Sequence, residues 1–271
     1  MRQLKTDLHI HTKFSDGKLS LPEVIDLYGK NRFDVIAITD HVVESSSFFG
    51  RIANQLSYSV SPKKFQEYYD QVRFEADRAE KLYGMKVLFG YEVSKNSLAH
   101  HRSAHILVIG NPRLIDADQS VNEILQESKE SGALTIAAHP FLTGEFEFQT
   151  YHLWSQREKL SPWIDAWEAS YRKKMVPEVL YSGLPVIASS DFHNMNHFSA
   201  WRSLLSTPST DRVVSSADVF KAVRDQNLDF YFEEASSPLV SDSVSSMASQ
   251  FADPGHFARG PFGKTFVLKN S

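Results

Sequence analysis

The chain has 271 residues, of which 42% are hydrophobic, and a formal net charge of −4. This length suffices for one large domain with a buried core, and the negative charge excludes a general electrostatic attraction to nucleic acids or anionic membranes. Cysteine is absent, which excludes disulfides, thiolate catalysis and zinc–sulfur sites and leaves 11 histidines and the carboxylates as metal ligands.

Short apolar runs bounded by turn residues alternate along the chain with segments of helical periodicity. The runs predict strands at 6–11, 34–39, 86–92, 105–109, 134–138, 164–169 and 185–189. The periodic segments predict helices at 21–30, 62–83, 120–131, 173–182 and 216–226, followed by a strand at 229–232. This alternation favours parallel strands joined by helical crossovers. About seven such units predict a distorted (β/α)7 barrel of the TIM-barrel kind.

The boundaries of these elements and of the domain follow from composition. Ser20 and Glu23 form a capping box at the start of the first helix. Segments 42–61 and 143–161 are too long for plain connections and are predicted to be loops over one end of the barrel. Residues 1–234 are predicted to form the barrel, and 235–271, which are rich in Ser, Pro and Gly, an irregular tail that packs on the barrel or stays partly disordered.

The N-terminal sequence MRQLKTDLHIH lacks the apolar segment of a signal peptide. No apolar run approaches the ~18 residues that a membrane-spanning helix needs. We therefore expect a cytoplasmic protein without a membrane span.

Nearly every predicted strand begins or ends at a side chain that can bind a metal ion. In chain order these side chains are His9, His11, Asp16, Asp40, His41, Glu92, His105, His139, Asp191 and His193. Because the carboxyl ends of parallel barrel strands meet on one face, we expect them to converge there. Taken singly, His105 also fits a buried structural histidine and His139, before a proline, a loop histidine, whereas Asp16 and Asp40 fit turn or cap residues.

Two features favour a metal site over these separate interpretations. His9 and His11 are two residues apart in a strand, so both rings lie on the same face and can reach one ion. Glu92 follows the apolar run VLFGY, where a carboxylate is costly to bury without a partner.

The stretches DLHIHTKFSDG, ITDH, GYEVS, AHILVIG, AAHP and SSDFH, in this order, resemble the PHP (polymerase and histidinol phosphatase) family of metal-dependent phosphoesterases. The resemblance spans residues 6 to about 205, and the long 62–83 segment is closer to a subgroup of predicted phosphoesterases than to the histidinol-phosphatase branch. It implies a distorted seven-stranded barrel with two or three divalent ions (Zn, Mn, Fe or Mg) at the strand ends.

The resemblance also assigns ligands. It implies a first ion on His9, His11, Glu92 and Asp191, a second on Glu92, His105 and His139, and a third on Asp16, His41 and His193. Some family members carry His where this chain has Asp16, so a harder ion such as Mn²⁺ or Mg²⁺ is expected at the third position. Asp40 is predicted to orient a ligating imidazole as a hydrogen-bond acceptor.

The implied reaction is hydrolysis of a small phosphate monoester or diester, such as a nucleotide or sugar phosphate, by a metal-activated hydroxide. Glu92, Asp191 and His193 are the predicted catalytic residues, with Asp191 or His193 passing a proton to the leaving group. The candidate substrate contacts are His197, Arg202, Arg172, His152 and Trp201.

Two other functions stay open at this point. A related barrel could hydrolyse C–N bonds, although such amidohydrolases bridge their metals with a strand-borne lysine and no predicted strand here ends in one. A non-catalytic metal-binding module would need only one closed ligand shell. The negative charge and the lack of a basic stripe disfavour a nuclease, so a small phosphorylated molecule, not a nucleic acid, is the expected partner.

Overall fold

The computed structural model describes residues 1–45, 58–96, 103–141 and 150–234, together with the backbone of 258–259 and 265–267. Its strands, numbered in chain order, are β1 Arg2–Asp7, β2 Val35–Ile38, β3 His41–Val43, β4 Lys86–Lys95, β5 Ala104–Ile109, β6 Leu134–Ala137, β7 Ala166–Glu168, β8 Ser170–Tyr171, β9 Lys174–Met175, β10 Val186–Ile187, β11 Ala200–Thr207, β12 Leu228–Glu233, β13 Ala258–Arg259 and β14 Thr265–Val267.

The α-helices are α1 Leu21–Lys30, α2 Phe65–Tyr83, α3 Val121–Glu130, α4 Tyr151–Ser155, α5 Arg157–Leu160, α6 Pro177–Leu180 and α7 Ser216–Arg224, with 3₁₀ turns at Ser161–Trp163 and Met195–His197. The capping box at the start of α1 is confirmed, because the Ser20 amide donates to the Glu23 carboxylate at 2.7 Å. No helix in these ranges is both long and apolar enough to cross a bilayer.

The main sheet curls into a nearly closed barrel with strand order β10-β7-β6-β5-β4-β2-β1-β11-β12, and β3 pairs with the second half of β4. The pairs β1–β2, β2–β4, β6–β7 and β7–β10 are parallel, so the distorted barrel predicted from the sequence is confirmed. The strand β5, however, runs antiparallel to both of its neighbours. The connection from Lys95 to Ala104 is shorter than the dozen or so residues that a parallel crossover requires.

The barrel seam lies where the chain beyond β1 meets the chain beyond β10. Ile10 and Phe192 form an isolated parallel bridge. The His11 amide donates to the Phe192 carbonyl at 2.8 Å, and the Phe192 amide donates to the His9 carbonyl at 3.2 Å. Main-chain hydrogen bonds therefore join the His9–His11 stretch directly to the residue after Asp191.

Several predicted elements are wrong. The segment 173–182, predicted as one helix, instead contributes to the β8–β9 hairpin and then forms the short α6. The turn of this hairpin begins at Arg172, whose φ of 54° lies outside the helical region. Part of the predicted loop 143–161 forms α4 and α5, and the strand β11 was not predicted. Residues 46–57 and 142–149 of the two predicted loops lie outside the described residues.

The predicted tail, 235–271, also lies outside them, except for the backbone of β13 and β14. That backbone shows β14 pairing with β12.

A buried ion pair sits among β1, α1 and β11. The Arg202 guanidinium Nε lies 2.8 Å from Asp7 Oδ2, and both side chains are fully buried. Asp7 also accepts hydrogen bonds from the Tyr28 hydroxyl at 2.8 Å and from the amide and hydroxyl of Ser190 at 3.1 and 2.6 Å. The prediction that Arg202 contacts substrate is therefore wrong, because its charge is used inside the core, where its Nη2 also donates to the Phe198 carbonyl.

We expect Asp7→Asn to lower the free energy of unfolding by about 3–5 kcal/mol, because the Arg202 charge would stay buried without its counter-charge. Urea denaturation followed by circular dichroism measures this loss. The matched control is Lys221→Gln, which breaks the exposed Lys221–Asp225 pair and should leave the midpoint unchanged. A loss for Asp7→Asn as small as that of the control would contradict this account of the core.

Candidate metal centre

Nine side chains predicted as metal ligands come together at one end of the barrel. The Glu92 carboxylate is fully buried at their centre and is approached by five imidazoles within 3.5 Å. Its Oε2 faces His9, His11 and His41 at 3.4, 3.4 and 2.8 Å. Its Oε1 faces His105 and His139 at 2.8 and 3.5 Å. The two oxygens thus address two different groups of histidines, as a bridging carboxylate would.

Two aspartates complete the cluster. Asp191 Oδ1 lies 3.4 Å from nitrogen atoms of His9, His11 and His193. Asp16, which is about one-third exposed, lies 3.3 Å from His193 Nε2 at the open side of the cluster. The cluster therefore extends from the fully buried Glu92 to a solvent-facing edge at Asp16 and His193.

Strand direction explains why His105 belongs to this face. It lies near the start of β5, and because β5 runs antiparallel to β4, its beginning lies beside the end of β4. Glu92 itself lies where β4 has passed its last partner in β2 and pairs with β3, with His41 as its register partner. The sequence placed His105 at this face on the assumption of parallel strands, whereas the reversal of β5 is what brings it there.

Both His139 and Asp191 have left-handed backbone conformations, with φ of 27° and 52°. Non-glycine residues adopt this region at a cost of about 1–3 kcal/mol, and such residues cluster at functional sites. Each follows the end of a short strand, so the backbone turns sharply at the point where the side chain enters the cluster.

The cluster holds buried polar atoms that make no hydrogen bond within the described structure. They are Nε2 of His9, both ring nitrogens of His11, both oxygens of Glu92 and Nδ1 of His105. Unsatisfied buried groups of this kind cost free energy, and a divalent cation would satisfy them. The nitrogen and oxygen donors fit borderline and harder ions such as Zn²⁺, Fe²⁺ and Mn²⁺.

Grouping the potential ligand atoms by mutual distance divides the cluster slightly differently from the family resemblance. Sets whose ligand atoms lie within 4.8 Å of one another are His9–His11–Glu92, His9–His139–Asp191, His41–Glu92–His105 and His11–Asp16–His41–His193. His139 thus falls with Asp191, and His11 also joins the third set. The resemblance placed His139 with His105 and Glu92, and limited the third set to Asp16, His41 and His193.

In four of the histidines, one ring nitrogen, on the far side from the cluster, makes a hydrogen bond to a supporting group, and the second ring nitrogen faces the cluster. In neutral imidazole one nitrogen donates and the other can bind a metal, so an acceptor on the far nitrogen selects the ligating one. The far partners are Glu168 for His9 Nδ1 at 3.0 Å, Asn96 for His105 Nε2 at 2.9 Å, Thr150 for His139 Nδ1 at 3.1 Å and the Asp191 carbonyl for His193 Nδ1 at 3.0 Å.

Glu168 is a functional residue that the sequence analysis missed. Its carboxylate accepts from His9 Nδ1, and its Oε2 also accepts from the His139 amide at 2.8 Å. It thereby fixes one ring and one strained backbone position together. The signal was available, because Glu168 is a buried acid at the end of the run IDAWE, the same pattern that singled out Glu92.

The role predicted for Asp40 is wrong. Its two oxygens accept hydrogen bonds from the amides and hydroxyls of Thr12 and Ser15, at 2.6 to 3.1 Å. Asp40 therefore organises the turn that carries Asp16, whereas Glu168 is a carboxylate that does orient an imidazole, that of His9. Burial raises the pKa of Asp40, although the hydrogen bonds from Ser15 and Thr12 oppose this.

Without metal, the cluster titrates as a network of imidazoles and carboxylates. Burial lowers the pKa of His41, but the charges of Glu92 and Asp16 outweigh it and raise that pKa to about 9. His11 differs, because burial and the neighbouring His193 and His41 lower its pKa to about 3. Burial alone would raise the pKa of Glu92, but the surrounding imidazoles hold it well below its usual value.

Among the predicted substrate contacts, His197 lies beside the cluster. The His197 ring lies 5.7 Å from that of His193, and its Nδ1 is 3.2 Å from the His193 amide. Burial lowers the pKa of His197, and the positive charge of Arg172 lowers it further. Trp201 packs edge-on against Phe232, and His152 lies against Gln156, so their contact with substrate stays a prediction.

The fold and the cluster together are those of an α/β barrel with side chains at one end that could hold metal ions. Residues 7–114 match the PHP domain, which confirms the resemblance seen in the sequence. An uncharacterized protein of Methanocaldococcus jannaschii is 28% identical over 149 residues, which is 51% of this chain and 68% of that protein.

A similar solved structure is that of a two-domain protein from Bacteroides vulgatus that contains a predicted PHP-like metal-dependent phosphoesterase. The TM-score is 0.60 at 19% identity, over 86% of this chain and 65% of the other. The chain thus spans about two-thirds of that protein, and the likeness confirms the fold.

We expect Glu168→Gln to weaken divalent-metal affinity about 10- to 100-fold while the fold persists, because the amide keeps the shape but not the charge that polarises His9. Competition with a chromogenic chelator measures the affinity. Glu158→Gln, on the exposed surface of α5, is the matched control. An affinity for Glu168→Gln within about threefold of the wild type would remove Glu168 from the metal centre.

Metal binding should release at least one proton at about pH 7.5, because His41 is protonated below its raised pKa of about 9 and must be neutral to bind a metal. The affinity should therefore fall as the pH is lowered from 9. Calorimetric titration in two buffers of different ionisation enthalpy counts the protons, and His41→Ala should reduce the count by about one. Equal heats in both buffers would contradict the assignment.

Proposed function

We propose that this protein is a metal-dependent phosphoesterase that hydrolyses a small phosphate monoester or diester. The observation that carries the proposal is the buried Glu92, whose two oxygens face separate sets of imidazoles and make no hydrogen bond within the described residues. The PHP-domain match over residues 7–114 supports the reaction class. Residues 1–234 would contain the whole catalytic unit.

The side chains that would hold two or three divalent ions are the nine of the cluster, His9, His11, Asp16, His41, Glu92, His105, His139, Asp191 and His193. Bound divalent ions would supply Lewis acidity, lowering the pKa of a water molecule and neutralising charge on phosphoryl oxygens. The carboxylates of Glu92 and Asp191 offset the positive charge, so that cations could lie close together.

The open side of the cluster supplies the proton for the leaving group. His193 lies at this edge, and in the absence of metal the negative charges of Asp191 and Asp16 outweigh burial and raise its pKa. Its Nδ1 is held by the Asp191 carbonyl, so the ring is oriented with Nε2 toward Asp16 and solvent. We assign the role of proton donor to His193 in the form of the site that holds two ions, in which its Nε2 would carry a proton in place of a third ion, with Asp191 as the residue that positions the ring.

Hydrolysis of a C–N bond is the rival reaction. Barrels of that kind bridge their metals with a strand-borne lysine, whereas Glu92 lies at the centre of this cluster. The bridging position therefore supports phosphoester hydrolysis, and a substrate panel containing both bond types distinguishes the two.

The test uses protein stripped with a chelator and reloaded in parallel with Mn²⁺, Zn²⁺, Mg²⁺ or Fe²⁺, assayed on aryl phosphates, phosphodiesters and amides. We expect phosphoester hydrolysis with at least one ion. Glu92→Gln should lower kcat/KM at least about 100-fold, because the buried negative charge that would hold the cations together is lost. Metal content is measured in the same samples.

Glu23→Gln, in the capping box of α1, is the matched control and should keep full activity. The variant His9→Ala/His11→Ala should lose metal while retaining the circular dichroism of the fold. Unchanged metal content in that double variant, or cleavage of amides but not of phosphoesters, would refute the proposal.

A further inference from the structure

A cavity of about 560 Å³ lies beside the metal centre and has no part in holding the ions. Its walls come from the β8–β9 hairpin, from the start of α6 and from two residues that follow metal-centre segments, Phe141 and Asn196. Phe141 comes two residues after His139, and Asn196 three residues after His193. The cavity and the cluster therefore share supporting backbone.

Tyr171 forms the boundary between the two. Its ring lies 5.9 Å from the His139 ring, edge to face, and it also lines the cavity. A phosphate bound at the cluster would thus have the cavity next to it, and the alcohol portion of the ester could extend into that cavity.

The lining combines an apolar floor with a cationic rim. The apolar side chains are Phe141, Tyr171, Met175, Val176 and Pro177, and the cations are Arg172, Lys173 and Lys174. Glu178, which carries a carboxylate, also lines the cavity. Because the reacting phosphate would be neutralised at the cluster, a second anionic group of the substrate could pair with the cations of this rim.

The backbone and the ring contact of Arg172 fix its position between the cluster and the cavity. The residue has φ of 54° in a turn closed by the Tyr171–Lys174 pair, a position that glycine or asparagine adopts at lower cost. Its carbonyl accepts from the Trp201 amide at 3.2 Å, and its guanidinium lies over the Tyr171 ring at 4.8 Å. An arginine is thus fixed in a strained turn between the cluster and the cavity.

We propose that this cavity binds the leaving group of the substrate, and that the substrate is a phosphate ester of a flat, apolar alcohol bearing a second anionic group. The proposal rests on the phosphoesterase function proposed above. The apolar floor would take the ring or apolar body, and Arg172 with Lys173 and Lys174 would pair with the distal anion.

The test compares two esters of equal size, 4-carboxyphenyl phosphate and 4-carbamoylphenyl phosphate, with the metal-loaded protein. We expect kcat/KM to be at least tenfold higher for the carboxylate, mainly through KM, because only it can form charge-assisted hydrogen bonds with the rim. Arg172→Met should reduce this preference about tenfold, and Lys173→Met/Lys174→Met provides a second variant should the first not fold. Lys221→Met, which removes an exposed charge on α7, is the matched control and should keep the wild-type preference.

Equal kcat/KM for the two esters, or a preference that survives both variants, would overturn this proposal while leaving the phosphoesterase function intact. Hydrolysis of neither ester would refute the hydrolysis of aryl phosphate monoesters, whereas the phosphodiesters of the panel above still test the phosphoesterase function. In that case calorimetry with 4-carboxybenzylphosphonate and its carboxamide tests whether the cavity binds an anionic group. Tighter binding of the carboxylate that Arg172→Met abolishes would support the anion site, and equal binding would refute it.

Discussion

The burial of the Glu92 carboxylate among imidazoles is the constraint on which the rest of this structure depends. A carboxylate removed from water is costly unless positive charge or hydrogen-bond donors surround it, and the groups that approach Glu92 are imidazoles. In the metal-free protein that charge comes from protons on rings such as that of His41, whose pKa is raised to about 9. Divalent ions would replace those protons and satisfy ring nitrogens and carboxylate oxygens that make no hydrogen bond. The same arrangement thus explains both the electrostatics of the free protein and its fitness for metals.

The barrel supplies this arrangement by unusual strand geometry. The strand β4 extends beyond β2 to carry Glu92 past the rim, and the reversed β5 returns His105 to the same end. The seam at Ile10 and Phe192 then brings the paired histidines against Asp191 through main-chain hydrogen bonds. A regular parallel barrel would place each ligand at a separate strand end, whereas these departures concentrate them around one carboxylate.

Much of the site, but less of its support, could be predicted from the sequence. Histidines and acids at the ends of apolar runs stand out locally, which is why all nine cluster residues were found. The reversal of β5, the β8–β9 hairpin and the strand β11 depend on pairing between distant segments, which local periodicity does not record. Arg202 and Asp40 were misassigned for the same reason, because their partners, Asp7 and the Thr12–Ser15 turn, are distant in sequence.

The acids outside the cluster hold its strained backbone in place. Asp191 and His139 have left-handed conformations that cost about 1–3 kcal/mol each, so the surrounding structure must enforce them. Asp7 accepts the amide of Ser190, immediately before Asp191, and Glu168 accepts the amide of His139 itself. Each of these carboxylates is in turn fixed by a second contact, to Arg202 or to the His9 ring. The buried charges of the core and of the metal centre are therefore connected through these contacts. Together they hold two ligand residues in backbone conformations that an unstrained chain would not adopt.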